Sequence, residues 1–267
     1  NKKELKMVKI KRILVSQPKP KAEKSPYFDL EAKYGVKIDF KPFIRVEPVL
    51  AKEFRQQKVS ILDYTAVVFT ARTAIDHFFR LSEELRLKIP ETMKYFCVSQ
   101  SVANYLQTYI QYRKRKVFFS TTGKIEDLMV SVNKHLDEKF LVAVSDVHDI
   151  NSIAADSDKE DILSLMEKAN ATFTKAVMYK TVSTDFTQDK DFPYDMYVFF
   201  SPSGIASLYK NFPDFEQGDI CIGCLGSTTA KVAKESGLNV NVEAPTPEAP
   251  SMPAALDLFL KETNKKK

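Results

Sequence analysis

The chain has 267 residues, of which 44% are hydrophobic and 28% charged, a balance that is typical of a folded protein and excludes an intrinsically disordered chain. No apolar run approaches the roughly 18 residues of a membrane-spanning helix, so we expect no membrane partner. Three cysteines are too few to cross-link a chain of this length, which favours a reducing cytoplasm.

The net charge of +5 is concentrated at the two ends of the chain. Residues 1–24 carry +7 and residues 261–267 carry +3, which leaves −5 for the residues between them. A nucleic-acid-binding protein places its basic residues on a folded face, so we expect no nucleic-acid partner. The internal basic run at residues 113–116 is either the solvated end of a helix or a nucleic-acid contact.

Short apolar runs alternate with longer amphipathic runs along almost the whole chain. The apolar runs predict β-strands over residues 10–15, 36–43, 64–69, 94–98, 116–119, 140–144, 173–182, 195–200, 219–225 and 238–242. The amphipathic runs predict α-helices over residues 70–85, 99–110, 125–136, 159–169, 203–212, 227–236 and 252–261. This alternation predicts α/β units, in which parallel sheets carry helices on both faces and ligands bind at the carboxyl ends of the strands.

Two pairs of strand-to-helix turns are alike. The turn after Phe69 resembles the turn after Phe200, and the segment 97–103 resembles the segment 224–230. The separations within the pairs, 131 and 127 residues, are similar and in the same order. We therefore expect two domains of one fold.

Each of these turns places a serine or threonine near the start of a helix, beside free backbone N–H groups. Such a turn either caps its own helix or binds a carboxylate or phosphate. Four turns that face one cleft would favour an anionic ligand.

Other candidate sites have less support in the sequence. Cys221 and Cys224 lie three apart in a predicted strand, so their side chains should point to opposite faces, as core cysteines do. No second ligand pair accompanies them, and His77, His135 and His148 are scattered, so we expect no metal site. Nucleotide-binding glycine motifs are absent. The acidic cluster at 156–161 either caps a helix or binds a cation.

The C-terminal third contains four short motifs in a fixed order: Phe199-Phe-Ser-Pro-Ser-Gly204, Gly226-Ser-Thr-Thr-Ala230, Gly237-Leu with Val240, and Glu243-Ala-Pro-Thr-Pro-Glu248. In their order and spacing these motifs resemble the uroporphyrinogen-III synthase family. Upstream, the segments 13–18, 68–74 and 178–182 are similar to further parts of the family in the right order.

This resemblance implies two Rossmann-like or flavodoxin-like domains joined by a two-stranded connector. The first domain would comprise residues 1–43 plus 184–267, the second residues 49–178, and the connector residues 44–48 and 179–183. The implied reaction cyclises hydroxymethylbilane, inverts its last ring and loses water, on the route to heme, siroheme or cobalamin, with no metal or cofactor. We expect a cytoplasmic monomer, with hydroxymethylbilane synthase as a possible partner.

The resemblance also implies roles for particular residues. Tyr179 would assist departure of the hydroxyl, or else only pack between the domains. The remaining candidates are hydroxyl residues and a glycine at helix starts that would hold the eight substrate carboxylates: Ser201, Ser203, Gly204, Ser227, Thr228 and Thr229 in the first domain, and Thr70, Ser99 and Ser101 in the second.

Two rival functions remain open. In one, the chain is a non-catalytic paralogue that binds a tetrapyrrole or another polyanion in the interdomain cleft. The feature that distinguishes this paralogue from the enzyme is the turn at 99–102, where Ser99 and Val102 replace the glycine and threonine that the family usually carries. In the other, the chain is an interaction protein with basic tails, and removal of residues 1–7 and 262–267 should abolish its function.

Overall fold

The computed structural model describes residues 8–146, 161–189 and 191–264. His148, the segment 156–160 of the acidic cluster and residues 1–7 and 265–267 of the basic ends lie outside this part of the chain. The strands are β1 Arg12–Val15, β2 Lys37–Phe40, β3 Ile44–Pro48, β4 Ala66–Phe69, β5 Lys94–Cys97, β6 Val117–Phe119, β7 Lys139–Asp146, β8 Thr172–Ser183, β9 Met196–Phe199, β10 Cys221–Leu225 and β11 Val242–Ala244. The helices are α1 Pro26–Tyr34, α2 Ala51–Arg55, α3 Arg72–Glu84, α4 Gln100–Tyr105, α5 Ile125–Asn133, α6 Ile162–Lys168, α7 Pro202–Asn211, α8 Ser227–Glu235 and α9 Met252–Thr263.

The described strands form two sheets. The first has the order β11-β10-β9-β1-β2, and each pair of neighbours in it is parallel. The second has the order β3-β8-β7-β4-β5-β6 and is parallel from β8 to β6. The predicted α/β fold class with two parallel-sheet domains is confirmed.

The chain divides into two compact units, one around each sheet. The first unit holds the described residues up to Arg45 and from Val182 onward, and the second holds those from Val46 to Thr181. The divisions fall within β3 and β8, which are neighbours in the second sheet. The precise bounds of the expected connector, 44–48 and 179–183, stay a prediction.

Continuous apolar strands are explained by helices on both faces of each sheet. In β1, Ile13 and Val15 pack with α1 and α9, whereas Leu14 between them packs with α7 and α8. In β4, Val67 and Phe69 face α3 and α4, whereas Ala66 and Val68 face α5 and α6. Because alternate residues of a strand point to opposite faces, burial on both faces requires an uninterrupted apolar run.

Some predicted element bounds are wrong. The strand expected at 238–242 begins only at Val242, because Leu238 closes the turn that follows α8: its N–H donates to the Ala233 carbonyl at 3.0 Å and its side chain is buried in the core. The helix expected at 99–110 is α4 followed by a 3-10 turn at Leu106–Thr108. The sequence patterns also missed α1 and α2.

None of the helices in the described part of the chain has the length and apolar character that a membrane span requires.

Candidate active site

The carboxyl ends of the strands in the first unit carry the serine- and glycine-rich turns. The chain builds β2 on one side of β1 and β9, β10 and β11 on the other, so the strand order reverses between β1 and β9. Parallel sheets bind ligands beside such a reversal, at the carboxyl ends of their strands. The turns after β9 and β10, which start α7 and α8, lie at this end.

At the start of α7, the serine and glycine residues also have a structural role: they cap the helix and let it pack closely on the sheet. Ser201 is the N-cap, and its Oγ accepts a hydrogen bond from the Gly204 N–H at 3.2 Å. A Cβ on Gly204 would lie 3.1 Å from Phe199 Cδ1, so glycine allows α7 to approach β9 closely. Ser203, in the first turn of the helix, is half-buried.

The start of α8 has no side-chain cap. Its N-cap is Gly226, with φ +89° and ψ 142°, a backbone conformation that residues other than glycine rarely adopt. Ser227 and Thr228 are exposed, and Thr229 is buried. Because no side chain occupies the capping position, the positive end of this helix can receive a ligand carboxylate.

In the second unit the strand order reverses between β4 and β7. Thr70, half-buried, follows β4 directly, and Ala71 starts α3 without a side-chain cap. Ser99 follows β5 and caps α4, since its Oγ accepts from the Val102 N–H at 3.2 Å. Since β4 and β5 pair in parallel with Phe69 opposite Cys97, both turns lie at the same end of the sheet.

Arg72 joins these two turns and was not among the predicted site residues. Its guanidinium donates to the Ser101 Oγ and lies over the Tyr105 ring, 5.5 Å from the ring centre. The first turn of α3 contains no acidic residue. A cation at the positive end of a helix is electrostatically unfavourable for the helix itself, so its position favours an anionic ligand. The sequence signal that could have identified Arg72 is its position two residues after Thr70, in the turn that follows a predicted strand.

Tyr179 lies on β8 in the second unit, where the strand is irregular. Val144 of β7 pairs with Val177 and Ser145 pairs with Tyr179, so Met178 has no partner across the ladder. As a result Met178 and Tyr179 both pack into the core cluster on the α3 side of the sheet, although they are adjacent in sequence. Burial raises the pKa of the Tyr179 phenol above its ordinary 10.0, so the group is protonated at neutral pH and is a weaker acid than an exposed phenol.

His77 on α3 stacks on Tyr179, with ring centres 5.1 Å apart and planes 17° apart. Its Nδ1 accepts a hydrogen bond from Arg80 Nε at 2.9 Å. Burial, and after it the Arg80 charge, lower the pKa of His77. The sequence offered no signal for this pair, because His77 and Tyr179 are far apart in the chain and no spacing connects them.

Cys97 and Cys224 lie in the cores of their units, whereas Cys221 is half-buried. Cys221 packs against the core on the α1 and α9 side of β10, and Cys224 lies in the core on the α7 and α8 side, as the spacing of three predicts. Burial raises the pKa of the Cys97 and Cys224 thiols to about 12, so neither is a thiolate at neutral pH. Within the described part of the chain, no group of three or more His, Cys, Asp or Glu residues could hold a metal ion.

Comparisons with known proteins identify the family and the fold. The family model of uroporphyrinogen-III synthase HemD matches residues 28–254. A search of curated protein sequences gave no significant match. A mutant uroporphyrinogen III synthase from the extremely thermophilic bacterium Thermus thermophilus is similar over 95% of this chain and 98% of its own, with 12% identity and a TM-score of 0.62. Uroporphyrinogen-III synthetase from Helicobacter pylori is similar over 95% and 100%, with 15% identity and a TM-score of 0.57.

Proposed function

Because the chain belongs to the uroporphyrinogen-III synthase family, we propose that its substrate is hydroxymethylbilane and that the residues at the carboxyl ends of its strands bind it. The family match extends into both units, and the chain is a cyclising lyase of tetrapyrrole biosynthesis. The observation that carries the proposal for the site is that α3 and α8 have no side-chain cap and begin directly after strands, at the carboxyl ends of their sheets.

The substrate has eight carboxylates, and the proposed site binds them without a strongly basic surface. The first turn of α8 would bind one group through its backbone N–H groups, that of the buried Thr229 included, and through the hydroxyls of the exposed Ser227 and Thr228. The turn after β9 would add the hydroxyls of Ser201 and Ser203, the first of which Gly204 positions through the bond from its N–H to the Ser201 Oγ. Hydrogen bonds from backbone amides to a carboxylate are charge-assisted and stronger than neutral ones.

In the second unit, Arg72 would be the principal carboxylate ligand. Its contacts with Ser101 and Tyr105 restrict the guanidinium to the strand ends of the sheet. A planar guanidinium binds a carboxylate through two parallel hydrogen bonds, which fixes the orientation of the bound group. Thr70 and Ser99 would complete this part of the site.

Tyr179 would act as the acid that assists loss of water. The carbon–oxygen bond of the hydroxymethyl group breaks, the phenol gives its proton to the departing oxygen, and a proton released during ring closure restores the phenol. Burial raises the pKa of Tyr179, which weakens the phenol as an acid but leaves it protonated at neutral pH, so it can assist departure by donating a hydrogen bond to the oxygen as the bond breaks. Most of the rate acceleration would come from folding the bilane so that the correct ring atoms meet.

We also propose that the protein works as a monomer in the cytoplasm and receives its substrate from hydroxymethylbilane synthase. The bilane cyclises spontaneously to the other isomer, so a short transfer between the two enzymes would limit that loss.

A coupled assay tests the proposed function. Hydroxymethylbilane is generated in situ by its synthase, this protein is added, and the oxidised products are separated into uroporphyrin isomers I and III. We expect isomer III above the spontaneous background of isomer I. Isomer I alone from a folded protein would instead favour the tetrapyrrole-binding paralogue.

The tyrosine is tested in the same assay by Tyr179→Phe, which removes one oxygen from a buried ring. Turnover should fall by about a hundred- to ten-thousandfold, the range of general acid catalysis. Tyr95→Phe is the matched control, because Tyr95 is buried in the same core cluster and has no proposed role. Full activity of Tyr179→Phe would remove the tyrosine from the mechanism, and equal losses in both variants would show that the effect is structural.

A further inference from the structure

We propose that His77 is a positioning residue for Tyr179, which holds the phenol ring by stacking and is itself held, uncharged, by Arg80. This inference rests on the proposed function, because it assigns a task to a residue that contacts the candidate acid. It concerns residues of the second unit alone.

The stacking contact is the first part of the argument. The imidazole and phenol rings lie nearly parallel, 17° apart, with their centres separated by 5.1 Å. The irregularity of β8 turns Tyr179 toward α3, where His77 lies on the second turn of the helix. A phenol held on one face by another ring loses most of its freedom to rotate, so its hydroxyl occupies a defined direction. Catalytic groups act efficiently only when they are held in such a geometry.

Arg80 fixes the position of the imidazole. Its Nε donates to His77 Nδ1 at 2.9 Å, and its Nη2 donates to the Val49 carbonyl at 2.9 Å and the Met178 carbonyl at 3.0 Å. Its Nη1 donates to Glu84 Oε1 at 2.9 Å. Arg80 therefore links α3 to the residue that immediately precedes Tyr179 on β8. The guanidinium is bound at each of its three nitrogens, so His77 has little room to move.

The same contact determines the protonation state of His77. A guanidinium has no acceptor, so Arg80 can bond to Nδ1 only where that nitrogen carries a lone pair. The proton of the neutral ring is then on Nε2. A second proton would have to displace Arg80 and would place two cations side by side. The acidic neighbours, Asp76 and Glu84, oppose this effect but are engaged elsewhere, Asp76 by the Tyr105 and Tyr109 hydroxyls and Glu84 by Arg80.

The roles of Arg80 and His77 differ, and this difference guides the choice of variants. Arg80 binds the backbone carbonyls of Val49 and Met178, which are far apart in the chain, so its replacement would disturb the fold. His77 binds only Arg80 and Tyr179 among the described contacts, so its replacement tests the proposed role more directly. His77→Phe retains a ring that can stack, whereas His77→Ala removes it.

The test is a double-mutant cycle in the coupled assay. His77→Ala should lower kcat about tenfold with KM changed by less than about twofold, while His77→Phe should stay within about threefold of the wild-type kcat. In the Tyr179→Phe background, His77→Ala should cause no further loss of kcat, because its effect acts through the phenol. Circular dichroism and thermal unfolding of each variant establish that it is folded.

The outcomes separate the two proposals. A loss of kcat from His77→Ala that is equally large in the wild-type and in the Tyr179→Phe background would overturn the positioning role and leave Tyr179 as the acid. A His77→Phe variant as slow as His77→Ala would also overturn it, because stacking would then not be the property that matters. Full activity of Tyr179→Phe alone would reject both the acid and its positioning residue.

Discussion

Replacing Gly226 with alanine tests whether the start of α8 binds substrate. Gly226 has φ +89° and ψ 142°, and its N–H donates to the Ala244 carbonyl at 2.7 Å. A Cβ placed on it would meet no atom within 4 Å, so alanine introduces no collision. The whole cost of the substitution is therefore strain in the backbone.

The size of that cost follows from the conformation. Holding a residue with a side chain in a region that only glycine populates costs about 1–3 kcal/mol. If the chain relieves the strain by rotating the turn, the first N–H groups of α8 no longer point at the ligand. Loss of one charge-assisted hydrogen bond, roughly 1.5–3 kcal/mol, would raise KM by roughly 10- to 150-fold.

Gly237→Ala is a matched control at the other end of the same helix. Gly237 also has φ +89° and open space around its Cβ position, but it follows the carboxyl end of α8. Both variants should lose stability in thermal unfolding, and only Gly226→Ala should show the increase in KM for the bilane. Equal KM values in the two variants, with both proteins folded, would refute the assignment of α8 to carboxylate binding.

Two further predictions concern titration and thiol reactivity. Burial and then the Arg80 charge lower the pKa of His77 below its ordinary 6.5, so the unfolded chain binds a proton that the folded chain does not. The free energy of unfolding should therefore fall as the pH is lowered through about 6.5, and urea titrations should show a smaller fall in His77→Phe; equal falls would contradict the argument. Because burial raises the pKa of the Cys97 and Cys224 thiols to about 12, a chromogenic disulfide reagent at neutral pH should modify them only after unfolding. Rapid modification of either thiol in the native protein would be inconsistent with its burial.

The hydrophobic pattern predicted the fold well because a strand that is buried on both faces of a parallel sheet must be apolar throughout, and such runs can be recognised in the sequence. The runs at β4 and β9 are apolar throughout, and both strands are buried throughout. The predicted hydroxyl residues likewise occur at helix starts after strands: Ser99 and Ser201 are N-caps, and Ser227 opens α8. The ends of elements were predicted less well. Leu238, for example, is apolar because it packs in the core beside the end of α8, and the sequence pattern assigned it to a strand.

The sequence alone determined that the chain builds two parallel α/β units, because the alternation of strands and helices and the residues in each turn are local properties. Only the tertiary structure decided which side chains meet at the ends of those strands. Arg72 contacts Ser101 because β4 and β5 are neighbours in register, and His77 stacks on Tyr179 because an unpaired residue in β8 turns the tyrosine toward α3. Contacts of this kind depend on sheet order and register, which arise from the packing of the whole unit and have no periodic signal in the sequence.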